Sequence, residues 1–353
     1  MGKRLRGISC SDWHLDGLAK LFPNDHIQRQ LAEIDKIYNY ALDNGIEHIF
    51  IPGDISDSYK MPWETYIELY LFFKKYDGRI NSYYIGGNHD HQEGTKTSVD
   101  FLELLSKDNT FKTLKIYKSA EQVKIEGIYV NMLPHLSEGF IEAKKPCLNF
   151  VHTSYDGAVG DNGCKIRIKK EFTPPPGDFT ISGHIHQWQF LKSRNILFNG
   201  NPFQKNFGES LPKGFIDFTA KYKSGKLVVD FDFINNRPDF ILESVIIKKQ
   251  KDFTKLSKED NIRYRLYVDP KVVIPSDLRM KYPNVAQILD SGGKKKLKEL
   301  EDASEFKQHA IAVPKVDPLS TLEKDMADDG WSPEQYAIAE NFVNQSISTF
   351  NTD

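Results

Sequence analysis

The block Gly53-Asp54-Ile55-Ser56-Asp57 follows directly on the apolar run His48–Pro52, and Gly87-Asn88-His89-Asp90 follows directly on Ser82–Gly86. Both runs are short, apolar or aromatic, and bounded by turn-forming residues, which is the pattern of a buried strand. Working outward, the arrangement recurs. Leu5–Cys10 leads to Asp12-Trp13-His14, Leu148–Val151 to His152, and Phe179–Ser182 to Gly183-His184-Ile185-His186. Five of the ten histidines lie in these blocks. Between the first three runs the spacing predicts helices. Gln28–Asn44, with Asp25 as cap, places Leu31, Ile34, Ile37, Tyr38 and Leu42 on one face, and Pro62 can open a second helix reaching about Tyr76. Strand–helix alternation predicts an α/β sandwich with its chemistry at the carboxyl ends of the strands.

The residue types point to two divalent cations. Two such ions about 3.5–4 Å apart need a shared anionic ligand and neutral donors that leave positions open. Asp54, alone between Gly53 and Ile55, is the expected bridging carboxylate. Asp12 and His14 lie two apart, as do His184 and His186, so on extended chain each pair points to one side. Asn88 offers a neutral carbonyl oxygen, which suits Mn²⁺ or Fe²⁺ better than a thiolate-rich zinc site. None of Cys10, Cys147 and Cys164 falls in the blocks. Singly, Asp-x-His is incidental in most sequences and Gly-Asn-His-Asp is an ordinary turn. Five such blocks together, each at a strand end, favour the metal reading.

These residues resemble the calcineurin-like metallophosphoesterase superfamily, over roughly residues 4–235: Asp-x-His, Gly-Asp-x-x-Asp, Gly-Asn-His-Asp, a lone His and Gly-His-x-His. Within it the chain looks most like the SbcD-type DNA-repair nucleases. Two features carry that narrower likeness. One is Gly200-Asn201-Pro202-Phe203-Gln204 with Phe207-Gly208-Glu209 and Lys213-Gly214-Phe215; the other is a long tail of different composition. The resemblance implies a first metal on Asp12, His14, Asp54 and His186, and a second on Asp54, Asn88, His152 and His184. It implies that His89 binds no metal but acts beside the scissile phosphate, stabilising charge or protonating the leaving oxygen. A ring that merely holds Asp12 or Asp54 is the other reading of His89. Asp57, where many cellular relatives have histidine, sides with the bacterial and phage branch and leaves a phosphate-contacting role there open. His91 is expected as a solvated loop residue and His135 as near the site in sequence only. His26, His48 and His309 are expected to be structural or exposed.

The implied architecture is a two-sheet metallophosphoesterase sandwich flanked by helices, with a small α+β capping domain and a C-terminal helical tail. Residues 1–236 would be catalytic, 237–312 the capping and DNA-binding unit, and 313–353 a linker with terminal helices. Closing strands are expected over Gly214–Thr219 and Lys226–Phe233, with a turn at Ser224-Gly225. The second unit would carry strands Phe240–Lys248 and Ile262–Val268, a loop or short helical turn over Lys255–Asp260, and helices Ser276–Lys281 and Ala286–Glu301. In the tail, Ser332-Pro333-Glu334-Gln335 is a helix start, after which Tyr336, Ala339, Phe342, Val343, Ile347 and Phe350 form an apolar stripe. The stripe suits either a partner coiled coil or the chain's own surface.

At 353 residues, 39% hydrophobic and 27% charged, the chain has the composition of a two-domain water-soluble protein. No apolar run approaches the ~20 residues of a membrane span. No leader is expected from Met1–Arg6, and three unpatterned cysteines fit a reducing cytoplasm. A net charge of −2 is no nucleic-acid signature, so DNA attraction would have to come from Lys165–Lys170 and Lys294–Lys298. The expected function is a Mn²⁺-dependent DNA exonuclease and single-strand endonuclease, with Mg²⁺ or Fe²⁺ as other candidate ions. It would act as a homodimer within a heterotetramer with an SbcC-type ATPase. A small-molecule or protein phosphatase, and an inactive scaffold of the same fold, are the alternatives.

Overall fold

The computed structural model describes residues 4–91, 96–161, 163–168 and 172–290. The first half alternates strand and helix: β1 (Arg4–Ser9), α1 (His26–Asp43), β2 (His48–Pro52), α2 (Trp63–Tyr76), β3 (Asn81–Ile85), α3 (Asp100–Lys107) and β4 (Leu114–Tyr117). Strands follow almost without helix: β5 (Glu121–Ile125), β6 (Ile128–Leu133), β7 (Leu148–Val151), β8 (Phe179–Ser182), β9 (Gln189–Leu191), β10 (Ile196–Phe198), β11 (Gly214–Lys223) and β12 (Lys226–Asn235). One six-stranded sheet has the order β12-β11-β1-β2-β3-β4, and a second has β5-β6-β7-β8-β10-β9. This is the two-sheet α/β sandwich expected.

Alternation along the strands builds two layers of core. Leu5, Phe50, Tyr83 and Ile85 face inward and meet Val130, Leu148, Phe150 and Ile181 of the second sheet. Phe50 and Phe150 stack there with ring centres 4.1 Å apart. On the outer face of the first sheet, Ile8, Ile49, Ile51 and Tyr84 pack under α1 and α2 through Ile34, Ile37, Tyr38, Leu69 and Phe72. Burying such side chains contributes about 1.5–3 kcal/mol each, so the site-bearing strand ends rest on a rigid floor. Asp25 does not cap α1 with its side chain, because its carboxylate accepts from Arg29 Nε at 2.8 Å instead. Ser224 and Gly225 both have positive φ, the turn geometry that matches strand twist between β11 and β12.

A third, all-parallel sheet of β13 (Ile241–Ile247), β14 (Ile262–Val268) and β15 (Val285–Asp290) has its own core of Ile247, Phe253, Leu266, Leu278 and Val285. Two expectations are corrected here. Ser276–Lys281 yields only one helical turn, α4 (Leu278–Lys281), and Ala286–Asp290 is strand rather than helix. Short apolar runs do not distinguish the two periods; pairing with β14, which buries Val285 and half-buries Ile288, decides for strand. Lys255–Asp260 is loop beyond its first residue, the first of its two expected readings, and a short 3-10 turn at Gln250–Lys255 leads into it. The Lys294–Lys298 cluster, His309 and the 313–353 tail with its stripe lie outside the described residues.

Candidate metal centre

All five blocks open from strand carboxyl ends: β1, β2 and β3 of the first sheet, β7 and β8 of the second. The loops after β1 and β2 continue to pair beyond their strands, with Asp12 N donating to Gly53 O at 3.0 Å and His14 N to Asp54 O at 3.1 Å. Gln30, buried on α1, donates to His14 O at 2.8 Å and so holds the first loop from the helix side. Close approach dictates the glycines. A Cβ on Gly53, whose φ is +94°, would lie 2.1 Å from His152 Nδ1, and one on Gly87 would lie 2.1 Å from Asp54 Oδ1.

The expected extended geometry at Asp12 and His14 is not what brings them together. Both are left-handed, with φ of 58° and 43°, as are Asp54 at 54° and His184 at 79°. Non-glycine residues rarely adopt this region. Four of them at one place is strain maintained by the surrounding hydrogen bonds. Sequence spacing alone had no means of showing it.

Within this frame Asp12, His14 and His186 bring one ligand atom each to within 4.8 Å of one another, and so do Asp12, Asp54 and His152. The Nε2 atoms of His14 and His186 face each other at 3.0 Å. Asp12 belongs to both groups, and Asp54 Oδ2 reaches toward both, 3.7 Å from His14 Nε2 and 3.3 Å from His152 Nε2. Asn88 Oδ1 lies 2.9 Å from His152 Nε2 and 2.8 Å from His184 Nδ1. All seven residues proposed as ligands therefore converge. His89 converges too, but differently. Its backbone N–H donates to Asp54 Oδ1 at 2.9 Å and its ring Nδ1–H to Asp57 O at 2.7 Å. The amide, not the ring, holds Asp54. The ring packs edge-on against His14, 4.7 Å between centres, and borders a cavity of about 290 Å³ shared with Asp54, Asn88, Asp161, His184 and His186.

The donor set suits divalent cations. His152 Nδ1–H is committed to Pro52 O at 2.8 Å and His186 Nδ1–H to Glu209 Oε1 at 2.9 Å. In both rings this leaves Nε2 for the cluster, 3.3 Å from Asp54 Oδ2 in His152 and 3.8 Å from Asp12 Oδ1 in His186, as metal-ligating imidazoles are arranged. The ligands are nitrogen and oxygen without thiolate. Electrostatics show how tightly the groups are pressed together. Burial pushes Asp12 up to about 6 and lowers His14 and His184 to about 4. Burial opposes charge on Asp54 as well, yet the neighbouring His152 holds it well below the usual carboxylate range. His152 in turn is disfavoured by burial but carried by Asp54 up to about 9.

A family model described as Calcineurin-like phosphoesterase matches residues 8–188, just over half of the chain and all five blocks. The chain belongs to the calcineurin-like phosphoesterase family. No curated protein matches it. Phosphoesterases of this family use divalent metals, and the clusters described above are where this one offers ligands.

Several residues of this phosphoesterase site have no counterpart in the reading of the sequence. Asp90, the last residue of Gly-Asn-His-Asp, is fully buried and accepts from the amides of Asp54, Ser56 and Gly87. Asp161, on the loop between β7 and β8, accepts from His186 N at 3.0 Å. Lys205 pairs with Asp57 at 2.8 Å, beside His14 Nδ1 at 3.1 Å. Asp57 is therefore engaged with His14 and Lys205. His91 is half-buried rather than solvated, its ring 6.0 Å from that of His135, and His135 lies 6.4 Å from the His152 ring, near the site in space as well. His48 and His26 are structural, partnered by Tyr83 and Asp16. Asp90, Glu209 and Lys213 lie within motifs already noted, but none carries a signal of its role in the sequence.

Proposed function

We propose that this phosphoesterase is a DNA nuclease of the SbcD type, using Mn²⁺ in preference to Mg²⁺ or Fe²⁺. The observation that carries the reading is the way the third sheet is joined to the site. Gln204 Nε2 donates to Leu242 O at 3.1 Å and to Glu209 O at 2.9 Å, while Leu242 N donates to Gln204 Oε1 at 3.0 Å. The segment that holds His186 is thus also the segment on which β13 is seated. Hydrolysis of a small phosphoester requires no such appended unit. Lys165 and Arg167, exposed on the loop whose Ile166 borders the cavity, add positive charge where a polyanion would pass.

In this reading Asp12, His14, Asp54 and His186 hold one cation, and Asp54, Asn88, His152 and His184 the other. Two bound cations supply Lewis acidity that neutralises a phosphoryl group and acidifies water. The chain itself does the rest. Asp54 keeps the two ligand groups at one carboxylate, and His89, its Nδ1–H committed to Asp57 O, keeps Nε2 for the substrate. A homodimer is proposed through α2 and α3. Trp63, Ile67 and Leu71 recur every fourth residue on α2 and are exposed, as are Phe101 and Leu104 on α3. The Trp63 and Phe101 rings lie 6.0 Å apart, so the two helices present one apolar patch. The tail is proposed to dock an SbcC-type ATPase, and a chain ending at Ala312 should keep its nuclease activity but no longer co-purify with that partner. Among the described residues no helix is long and apolar enough to cross a membrane; a cytoplasmic, nucleoid-associated location is part of the proposal.

The decisive experiment is Mn²⁺-supported digestion of linear double-stranded and single-stranded DNA beside p-nitrophenyl phosphate. Nucleotide release with little p-nitrophenol supports the nuclease. Rapid p-nitrophenol release with intact DNA returns the small-molecule phosphatase.

A further inference from the structure

We infer that Glu209 is a positioning residue for the first cation site, fixing which nitrogen of His186 faces His14 and Asp12. The inference rests on the two-cation reading above. Glu209 is buried, and both its oxygens are committed. Oε1 accepts from His186 Nδ1 at 2.9 Å and from Asn206 Nδ2 at 3.1 Å. Oε2 accepts from Asn201 Nδ2 at 2.9 Å and faces Lys213 Nζ at 2.7 Å. Lys213, itself buried, also donates to His186 O at 3.1 Å and to Asn201 Oδ1 at 2.6 Å. One ammonium therefore holds both the backbone of His186 and the carboxylate that holds its ring.

A carboxylate accepts only, so its contact forces the proton onto Nδ1 and leaves Nε2 toward His14 Nε2, 3.0 Å away. A carboxylate behind a ligating imidazole orients the ring and raises its basicity. Asp161 Oδ2 is a second acceptor, 3.0 Å from the same nitrogen, but its side chain is 35% exposed against 1% for Glu209. The dry, fully bonded partner sets the ring. Gln204 braces the loop from the far side through Leu242, so Glu209 has little freedom to follow a misplaced ring. Glu209 and Lys213 both lie beyond the stretch matched by the family model.

Two double variants isolate the acceptor from the buried charge, since both remove the ion pair. Glu209→Gln with Lys213→Met keeps an oxygen for Nδ1–H, whereas Glu209→Leu with Lys213→Met does not. Calorimetric Mn²⁺ titration of the full chain, below the melting temperature of each variant, reads the two sites separately. With Leu, one site should bind about 10–100-fold more weakly than the same site in the Gln double, while the other site should be alike in the two. Equal affinities in the two doubles would show that Glu209 only braces its loop and would overturn the proposal. Should the Leu double fail to fold, Glu209→Asp keeps the charge opposite Lys213 while withdrawing it from the ring. Unchanged affinity in that variant overturns the proposal as well. Wild-type protein that binds no Mn²⁺ would instead sink the two-cation reading itself.

Discussion

The Asp90 carboxylate accepts the backbone N–H of Asp54 at 2.7 Å, fixing the central carboxylate of the site through its main chain rather than its side chain. Asp90 also takes the amides of Ser56 and Gly87, both at 2.9 Å, and the Ser56 hydroxyl at 2.8 Å. Asp90→Ala leaves these donors buried without an acceptor, at about 1–3 kcal/mol for each donor stranded. We expect a loss of about 3–5 kcal/mol in urea unfolding, within the range of broken buried networks. A loss under about 1 kcal/mol would mean that water or a neighbour replaces Asp90.

Asp54→Ala removes the carboxylate expected to bridge the two cations, which reaches both His14 and His152. Calorimetry should then show both Mn²⁺ sites lost or severely weakened, with DNA hydrolysis abolished. The metal-free fold should persist by circular dichroism, since the β2 core beneath the site does not use the Asp54 side chain. Two intact sites in this variant would rule out Asp54 as the shared ligand.

His89→Asn tests chemistry apart from binding. Its backbone amide still holds Asp54, so Mn²⁺ and DNA affinities should stay near wild type. The rate should fall by about 10²–10⁴, the usual effect of removing one positioned acid or charge-stabilising group. Loss of a cation in His89→Asn would make His89 a ligand instead.

The position of His152 predicts opposite pH trends for stability and metal affinity. Burial disfavours its charged form, but Asp54, 3.3 Å away, raises it to about 9 in the metal-free protein. A histidine raised above its unfolded value of about 6.5 contributes fully below that pH and loses its contribution as the pH rises toward 9. His186 is raised as well, by Glu209 and Asp161 against burial, and so shifts the same way. The melting temperature of metal-free protein should therefore fall between about pH 6.5 and 9. Mn²⁺ must displace the proton from Nε2, so its affinity should rise over the same window by up to about tenfold per pH unit for each proton released. Calorimetry in buffers of different ionisation enthalpy counts those protons. Binding without proton uptake by the buffer would show that His152 is neutral before the metal arrives.

Much of the fold was legible because strand burial leaves a local trace. His48–Pro52, Leu148–Val151, Phe179–Ser182 and Ile262–Val268 are strands over the spans their apolar runs suggest. Residues 286–290 do not reveal their strand in sequence, because a short apolar run fits either period until a neighbouring strand claims it. The three-residue strands β9 and β10 were not anticipated, being too short to show any periodicity.

At the site, glycines, turn formers and apolar runs are local features, so they show which side chains stand at strand ends. How they meet depends on contacts between loops far apart in the chain. Asp12 and His14 converge through left-handed backbone, not through extended chain, because loop-to-loop hydrogen bonds outweigh local preference. The partners that hold the ligands were likewise invisible. Asp90 acts on a residue 36 positions away and Glu209 on one 23 away. A buried carboxylate is recognised by the donors that surround it, and those donors are assembled only when the chain has folded.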